Sequence, residues 1–395
     1  MIPLARRVAG RIAREMENSR LLKQRGREFL EDPNYRLDLV ERGFLNRTQD
    51  QIDDTAILER IVRSYNRAKI AQKNAGTPFQ VSNEWLPIYN RKLKEVMSNL
   101  TAGNLDNLGI IYGNFFRDPC STGLVGLAGK MKKRYFSGKI KRRDQLLYIY
   151  DVLCRYKLWR SLTNNRYDVQ SLVSPSIGNP FGFEIDGVFV AHGADYKHYY
   201  ATEISRLVGN NGHGLVVELG GGYGGMAYYL VRDNPKITYI DFDLPENLAL
   251  TAYYLMKAFP ELSIVLYGEA ELDKGILRDN RIFLMPSFEI AKMPSNSAEV
   301  VFNSYSLAEM SAEAINEYVI HMTRISREYF MHINHIKNSQ VKADDFGIER
   351  YGYELLHRKQ ALWNRGRVLE PDEYEFLYCK AESRKSVGVI PGDHR

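Results

Sequence analysis

The sequence has few cysteines, few tryptophans and no long hydrophobic run. Cys120, Cys154 and Cys379 stand far apart in the 395 residues, so neither a disulfide framework nor a C-x-x-C metal site is indicated. This cysteine usage is typical of a reducing compartment, and we expect a cytoplasmic protein. No apolar run is long enough to span a bilayer and no signal-peptide pattern is found, so we expect no transmembrane segment.

The excess of positive over negative charge is also small. The formal net charge is +6, with 44% hydrophobic and 26% charged residues, which is the composition of a globular protein. So small an excess of positive charge does not indicate a nucleic-acid partner, although it suits an anionic substrate such as a nucleotide-linked or phosphorylated sugar. The length allows two domains, or one large domain with a cap. Internal repeats and low-complexity segments are absent.

Glycine, in contrast, is concentrated in one stretch. Leu215 to Leu219 is a short apolar run typical of a buried strand, and Gly220 to Gly225 holds five glycines that only a turn tolerates. Met226 to Arg232 returns to helical spacing, and Ile237 to Ile240 predicts a second strand. The stretch therefore predicts a strand, turn, helix and strand, with a parallel sheet around them.

Carboxylates lie at the ends of both of these strands. Asp241 and Asp243 follow the second strand, where a parallel sheet binds its ligands and a carboxylate can hold a ribose diol. Gly220, Gly222 and Gly225 fit the dinucleotide pattern G-x-G-x-x-G, with Asp241 about 20 residues further on. The pattern E-x-G-x-G-x-G, which is used by enzymes that bind S-adenosylmethionine (SAM), is also present. Its members are Glu218, Gly220, Gly222 and Gly224. Glu218 favours SAM, because a carboxylate there can bind the methionine ammonium but would repel a pyrophosphate.

The segments VVELGGGYGG and YIDFDLPEN resemble class I SAM-dependent O-methyltransferases. Asp243 falls on the aspartate that holds the SAM ribose in that family. Glu299 to Met310, EVVFNSYSLAEM, resembles sugar O-methyltransferases, and the likeness covers Asn179 to Asn334. It implies a doubly wound, mostly parallel, seven-stranded Rossmann-like sheet in residues 173–395, preceded by a mainly helical region in residues 1–172. Plant-type relatives carry a catalytic histidine where this chain has Ala308, so that base cannot be transferred.

The resemblance and the strand ends together give the candidate site. The expected residues around SAM are Glu218, Gly220, Gly222, Gly224, Asp243, Leu244, Ser287, Asn303 and Tyr199. Tyr305, Asn179 and Asn334 are expected to contact the sugar or glycan substrate. Glu309 and His335 lead as the general base that a sugar hydroxyl requires, with His332 third.

A divalent metal is compatible with the sequence but is not indicated. His332 and His335 lie near the end of the fifth strand of the expected sheet. Residues three apart on a strand face opposite sides, so a shared metal ion would require a turn between them.

Other elements are predicted from periodicity and turn residues. Leu262 to Leu266 and Ile282 to Met285 both look like strands, and the second fits better as the third strand of the sheet. The residue that faces adenine would accordingly be Ser287 rather than Glu269. Helices are expected over residues 54–73, over residues 82–99 with Ser82 as the N-cap, and over residues 143–163. Residues 103–129 are read as an ordered loop.

The first thirty residues, Met1 to Leu30, form a basic amphipathic pattern. Such a helix can pack on its own domain or on a second subunit of a homodimer. It can also contact an anionic membrane surface peripherally.

Alternative functions remain open from sequence. An NAD-dependent sugar oxidoreductase could use the same glycine turn, although the Y-x-x-x-K pair, Tyr253 and Lys257, comes too early for the catalytic pair of such enzymes. A methyltransferase of a non-sugar natural product would share every cofactor residue. A non-catalytic subunit that scaffolds a partner is disfavoured by the intact glycine turn and Asp243.

Overall fold

The computed structural model describes residues 26–47, 53–83, 85–125, 140–209, 213–272, 282–337, 339–366 and 372–384, together with residues 12, 13, 16, 20 and 277. Most of the basic N-terminal segment, with its expected membrane or subunit contact, lies outside these residues. Among the described helices, none is both long and apolar enough to cross a bilayer.

The apolar runs after residue 180 form strands. These strands are β1 (Gly182–Ile185), β2 (Val188–Ala191), β3 (Gly214–Leu219), β4 (Ile237–Asp243), β5 (Ile264–Leu266), β6 (Ile282–Pro286), β7 (Ala298–Ser304), β8 (Ser326–His335), β9 (Tyr353–Gln360) and β10 (Glu373–Lys380). β1 and β2 form a separate hairpin, whose turn residues Asp186 and Gly187 both have a positive φ. This is the conformation that a two-residue hairpin turn requires.

Helices cover both ends of the described chain and separate the parallel strands. They are α1 (Leu37–Gly43), α2 (Thr55–Gln72), α3 (Leu86–Arg91), α4 (Lys94–Ala102), α5 (Leu105–Tyr112), α6 (Arg142–Leu162), α7 (Ala194–Val208), α8 (Gly225–Asp233), α9 (Pro245–Ala258), α10 (Ala312–Ile325) and α11 (Ala381–Arg384).

The main sheet has eight strands in the order β5-β6-β4-β3-β7-β8-β10-β9. The first six strands are parallel, and β10 runs antiparallel to both β8 and β9. This order confirms the expected doubly wound, mostly parallel sheet. It contains one strand more than the seven expected, because β5 pairs with the outer edge of β6. Since β6 pairs with β4, Ile282–Pro286 is the third strand, as the sequence favoured.

Two segments before residue 130 differ from the sequence prediction. The expected helix over residues 82–99 is divided into α3 and α4, which meet at Leu93, where the side chain turns into the core. The expected loop over residues 103–129 contains α5. Gly103, with a φ of 68°, ends α4, and the Asn104 side chain accepts a hydrogen bond from the Asn107 N–H to cap α5. These glycine and asparagine signals were helix ends rather than a loop.

One hydrophobic core joins the N-terminal helices to the sheet. The Tyr112 ring of α5 lies 5.3 Å from the Tyr253 ring of α9. Asp54, which precedes α2, pairs with Lys257 of α9 at 2.7 Å, and both side chains are largely buried. The helices before residue 172, called the cap below, therefore pack against α9 on one side of the sheet.

Candidate active site

A cavity of about 580 Å³ lies at the carboxyl ends of the parallel strands, within the ~300–1,000 Å³ typical of ligand pockets. Its floor comes from the ends of β3, β4 and β7 and from the turn after β3. The start of α7 forms one wall. The cap contributes another through Thr77, Pro78, the residues from Gln80 to Asn83, and Trp85. This is the edge where the sheet order reverses on either side of β3, so the cavity opens where an α/β sheet binds its ligands.

The glycines of the turn have different surroundings. Gly220, with a φ of 80°, lies so close to Ser306 that an added Cβ would be 2.5 Å from its Oγ. Gly222, with a φ of 66°, lines the cavity, and an added Cβ would make only an ordinary contact with Leu124 at 3.7 Å. The Gly221 N–H donates to Asp241 Oδ1 at 2.9 Å. Asp241 thus supports the turn from behind and does not line the cavity.

Asp243 at the end of β4 does line the cavity. Its Oδ1 accepts hydrogen bonds from the Leu244 N–H at 2.6 Å and from Asn247 Nδ2 at 2.9 Å, while the Gly222 N–H donates to Oδ2 at 3.2 Å. Burial raises the pKa of Asp243 to about 6, against the lowering effect of these hydrogen bonds. The carboxylate is therefore fixed in place, and its remaining lone pairs can accept from a ligand's hydroxyl groups.

Glu218 at the end of β3 is the second carboxylate in the floor. Its side chain is buried, and Tyr239 donates its hydroxyl proton to Oε2. Burial raises the pKa of Glu218 to about 8, and the nearby Asp243 charge adds to this shift. A cationic group of a ligand would reverse the cost of ionising Glu218, because an opposite charge at close range favours the carboxylate.

Glu309 and Tyr305 occupy the other end of the cavity, after β7. Glu309 ends a short helical turn and accepts a hydrogen bond from the Trp85 indole at 2.5 Å. Tyr305 holds a left-handed φ of 65°, which is costly for a bulky residue and often occurs at functional sites. Its hydroxyl donates to Glu373 at 3.2 Å. A carboxylate and an aromatic ring therefore line the part of the cavity that follows β7.

The structure brings most of the expected residues to this cavity. Those that line it are Glu218, Gly220, Gly222, Asp243, Leu244, Ser287, Tyr305 and Glu309. Ser287 lies directly after β6, which agrees with the strand assignment. These residues combine carboxylates, glycine backbone and one aromatic ring at the carboxyl ends of four neighbouring strands, β6, β4, β3 and β7.

Three expected cofactor residues lie outside the lining. Gly224 precedes α8 with a φ of 81° and packs against Thr251 and Leu255, so it shapes the turn. Asn303 is fully buried and donates to the Leu219 carbonyl at 2.9 Å, which ties β7 to the end of β3. Tyr199 points into the core, and its hydroxyl accepts from Lys359 at 3.1 Å. The periodicity of helix α7 turns Tyr199, and that of strand β7 turns Asn303, away from the face that a ligand would contact.

Two expected substrate residues also lie away from the cavity. Asn179 accepts a hydrogen bond from the Arg47 N–H and donates to Asn114, both at 2.8 Å, so it joins the cap to the segment before β1. Asn334 is fully buried on β8. Its side-chain oxygen accepts from the Ala308 N–H at 3.1 Å, which positions the turn that carries Glu309.

Neither histidine candidate reaches the cavity. His332 is fully buried and stacks on Phe376 at 4.6 Å between ring centres; burial lowers its pKa to about 3. His335 pairs with Asp372 at 2.8 Å, and its ring lies behind Tyr305 at 5.5 Å. On geometry, Glu309 is the expected base that lines the cavity.

One group among the described residues has a donor set that suits a metal ion. His335, Asp372 and Glu373 have ligand atoms within 4.8 Å of one another. Each already has a protein partner: His335 pairs with Asp372, and Glu373 accepts from Tyr305 and from Asn364. The three residues therefore form a hydrogen-bonded group that supports Tyr305.

Several lining residues carried no pattern in the sequence that identified them. Arg155 of α6, Lys197 of α7, Trp363 and Asn364 all line the cavity. Arg155 donates to Asn364 at 2.6 Å and pairs with Asp151 at 3.5 Å. They come from three separate segments of the chain, so only the fold brings them together.

A scan of protein-family models and a search of curated proteins found no match to this chain. The chain is similar to solved structures at low identity. The pyocyanin biosynthetic protein PhzM is 11% identical, with 48% of this chain and 56% of PhzM covered and a TM-score of 0.33. Magnesium protoporphyrin IX methyltransferase (ChlM) from Synechocystis PCC 6803, with bound SAM, is 15% identical. The match covers 60% of this chain and 95% of ChlM, with a TM-score of 0.35. The [4+2]-cyclase SpnF is 14% identical, with the same coverage and TM-score as ChlM.

Proposed function

We propose that this protein is a SAM-dependent O-methyltransferase. The observation that carries the proposal is the pair of buried carboxylates, Glu218 and Asp243, which end neighbouring strands on either side of the glycine turn and line one cavity. Burial raises the pKa of both carboxyl groups, and such shifts are common among acids at functional sites.

The residues present fit SAM. Asp243 would accept from the ribose hydroxyls and Glu218 from the methionine ammonium, and Gly222, which has no side chain, would let the ligand approach the backbone. Ser287, after the third strand, faces the adenine end of the cavity. A dinucleotide would place a pyrophosphate beside Glu218, where two negative charges repel. When bound, SAM supplies an electrophilic methyl group on its sulfonium.

The acceptor end suits a sugar. Tyr196, Tyr305 and Trp363 give it aromatic faces, and Arg155 and Asn364 give it hydrogen-bond donors. A sugar ring presents an apolar C–H face and a rim of hydroxyl groups, so it can use both kinds of surface. Orientation of the acceptor oxygen toward the methyl group is then the main contribution of these residues to the reaction rate.

Glu309 is the proposed general base. It lines the cavity next to Tyr305 and Ser306, and the Trp85 indole holds one of its oxygens. The Glu309 carboxylate can accept the proton of the sugar hydroxyl as the hydroxyl oxygen attacks the methyl group. A positioned base of this kind contributes about 10²- to 10⁴-fold to rate.

Calorimetry and mass spectrometry test the proposal together. The protein should bind SAM and its demethylated product S-adenosylhomocysteine but not NAD, and it should methylate at least one member of a panel of free sugars, nucleotide sugars and glycans. Binding of NAD with no binding of SAM would instead support an oxidoreductase, and the methyltransferase proposal would then be abandoned.

A second candidate shares the cofactor but not the acceptor. The aromatic rings of Tyr196, Tyr305 and Trp363 would also suit a flat phenolic natural product. Including phenols in the same mass-spectrometric panel separates the two candidates, because only the preferred class should turn over at low concentration.

A further inference from the structure

The methionine end of SAM carries an ammonium group and a carboxylate on the same carbon. The proposed site so far provides a partner only for the ammonium group. Glu218 faces the ammonium of SAM. The carboxylate on the same carbon must lie close beside it, in the part of the cavity between β3 and the start of α7. A buried carboxylate needs a cation or several N–H donors to offset its desolvation.

Two long cationic side chains of the described residues line the cavity, Lys197 and Arg155. Arg155 is committed to the acceptor end: it donates to Asn364, pairs with Asp151, and lies near Tyr305 and Glu373. Lys197 has no ion pair with any carboxylate among the described residues. Its ammonium donates weakly to the Gly193 carbonyl at 3.4 Å.

Lys197 lies at the correct end of the cavity. Its chain packs so closely on Gly225 that a Cβ there would be 2.5 Å from its Cδ, and its Nζ is 5.1 Å from the centre of the Tyr223 ring. Gly225 begins α8, whose Gly224 cap supplies no side-chain acceptor for the free N–H groups of the first turn. Lys197 therefore stands beside a helix end that itself attracts negative charge.

Lys197 and Glu218 line the same cavity. Tyr196, the neighbour of Lys197 on α7, bonds to Ser304 at the end of β7, and the charge of Glu218 helps to raise the pKa of that tyrosine. The start of α7 thus faces the end of β3 across the cavity. Burial lowers the pKa of Lys197 to about 8, and the nearby Asp195 charge offsets only part of this shift.

We propose that Lys197 binds the carboxylate of the SAM methionine group, together with the first turn of α8. This assignment rests on the proposed function. It makes Lys197 the residue that selects cofactors with an intact amino-acid end, since Glu218 alone would accept any ligand with an ammonium group.

The test compares two ligands that differ in one group. S-adenosylhomocysteine and its decarboxylated analogue both carry the ammonium, but only the first carries the carboxylate. Calorimetry on Lys197→Met should show about a 10- to 100-fold loss of affinity for S-adenosylhomocysteine and less than about a 3-fold change for the analogue. Lys197→Arg should recover part of the loss.

Lys236→Met is the matched control. Lys236 is exposed and directly precedes β4, at the amino ends of the strands and away from the cavity. It should change neither affinity. Thermal unfolding of each variant without ligand checks that the fold is kept. An equal loss for both ligands, or no loss for either, would overturn the assignment of Lys197. Failure of the wild-type protein to bind S-adenosylhomocysteine would instead overturn the proposed function.

Discussion

At the scale of residues, two neighbouring aspartates of one strand have different tasks. Asp241 lies behind the glycine turn and accepts from the Gly221 N–H, whereas Asp243 lines the cavity. Both face the same side of β4, since they are two residues apart. The difference arises because the turn covers Asp241 and ends before Asp243, so sequence spacing could not separate a supporting acid from a binding acid.

The first residue-scale prediction separates these acids. Asp243→Asn should weaken the binding of S-adenosylhomocysteine about 10-fold or more, because an amide accepts only through one oxygen and cannot hold both ribose hydroxyls. Asp241→Asn keeps an oxygen for the Gly221 N–H and should stay within about 3-fold of wild type. Calorimetry measures both variants. Equal losses would mean that Asp243 is not the ribose-binding acid.

A second residue-scale prediction concerns pH. In the unliganded protein Glu218 has a pKa of about 8 and Asp243 of about 6, both above the values of an unfolded chain. Between about pH 5 and pH 8 the folded protein therefore holds more protons than the unfolded one, and these two groups make stability fall as pH rises. Glu218→Gln should raise the melting temperature at pH 8 by ~2 °C or more and flatten the pH dependence.

The exposed Glu261 provides the control for this measurement, as Glu261→Gln should leave the pH profile unchanged. Thermal scans from pH 5 to pH 8 record both variants. A Glu218→Gln profile parallel to that of wild type would contradict the burial argument. The same variant should bind S-adenosylhomocysteine less well, so stability and binding should move in opposite directions.

At the scale of elements, the sequence predicted the sheet better than the cap. Strands β3, β4 and β7 and helices α7 to α10 follow apolar periods that residues close in sequence determine. The division of residues 82–99 into α3 and α4 depends on Leu93, whose inward turn is set by packing against distant residues. Lys197, Arg155 and Trp363 reach the cavity only through tertiary structure, so no local pattern could mark them.

The contact between α3 and the turn after β7 gives an element-scale prediction. Glu309→Gln should lower the rate of methyl transfer about 10²-fold or more, with little change in the affinity for S-adenosylhomocysteine, because an amide cannot take the proton. Trp85→Phe removes the indole N–H but keeps an aromatic side chain and the carboxylate. Its rate should fall far less. Single-turnover kinetics compare the two variants, and equal rates for Glu309→Gln and wild type would exclude Glu309 as the base.

At the scale of the whole molecule, residues before and after position 172 share one hydrophobic core. The Phe115 ring lies 5.4 Å from Tyr223 in the glycine turn, and Trp159 donates to His198 of α7 at 3.2 Å. Helix and sheet residues from both sides of the predicted boundary at residue 172 bury each other in this core.

The whole-molecule prediction follows from this packing. The full chain should unfold in one cooperative calorimetric transition, whereas residues 173–395 expressed alone should expose the apolar side of α9 and lack that transition. Calorimetry of both chains checks the expectation. A fragment that unfolded cooperatively and bound S-adenosylhomocysteine as tightly as the full chain would contradict it.

The shared core also bears on how ligands enter and leave. A cap fused to the sheet through Tyr112, Tyr253 and the Asp54–Lys257 pair cannot swing away as a rigid lid without breaking the packing that holds the protein folded. We therefore expect ligands to enter through small movements of the rim of the cavity, such as the lining residues from Gln80 to Asn83. Exchange of that rim for another of equal length would be the mildest way to admit a different acceptor while the floor beneath it stays intact.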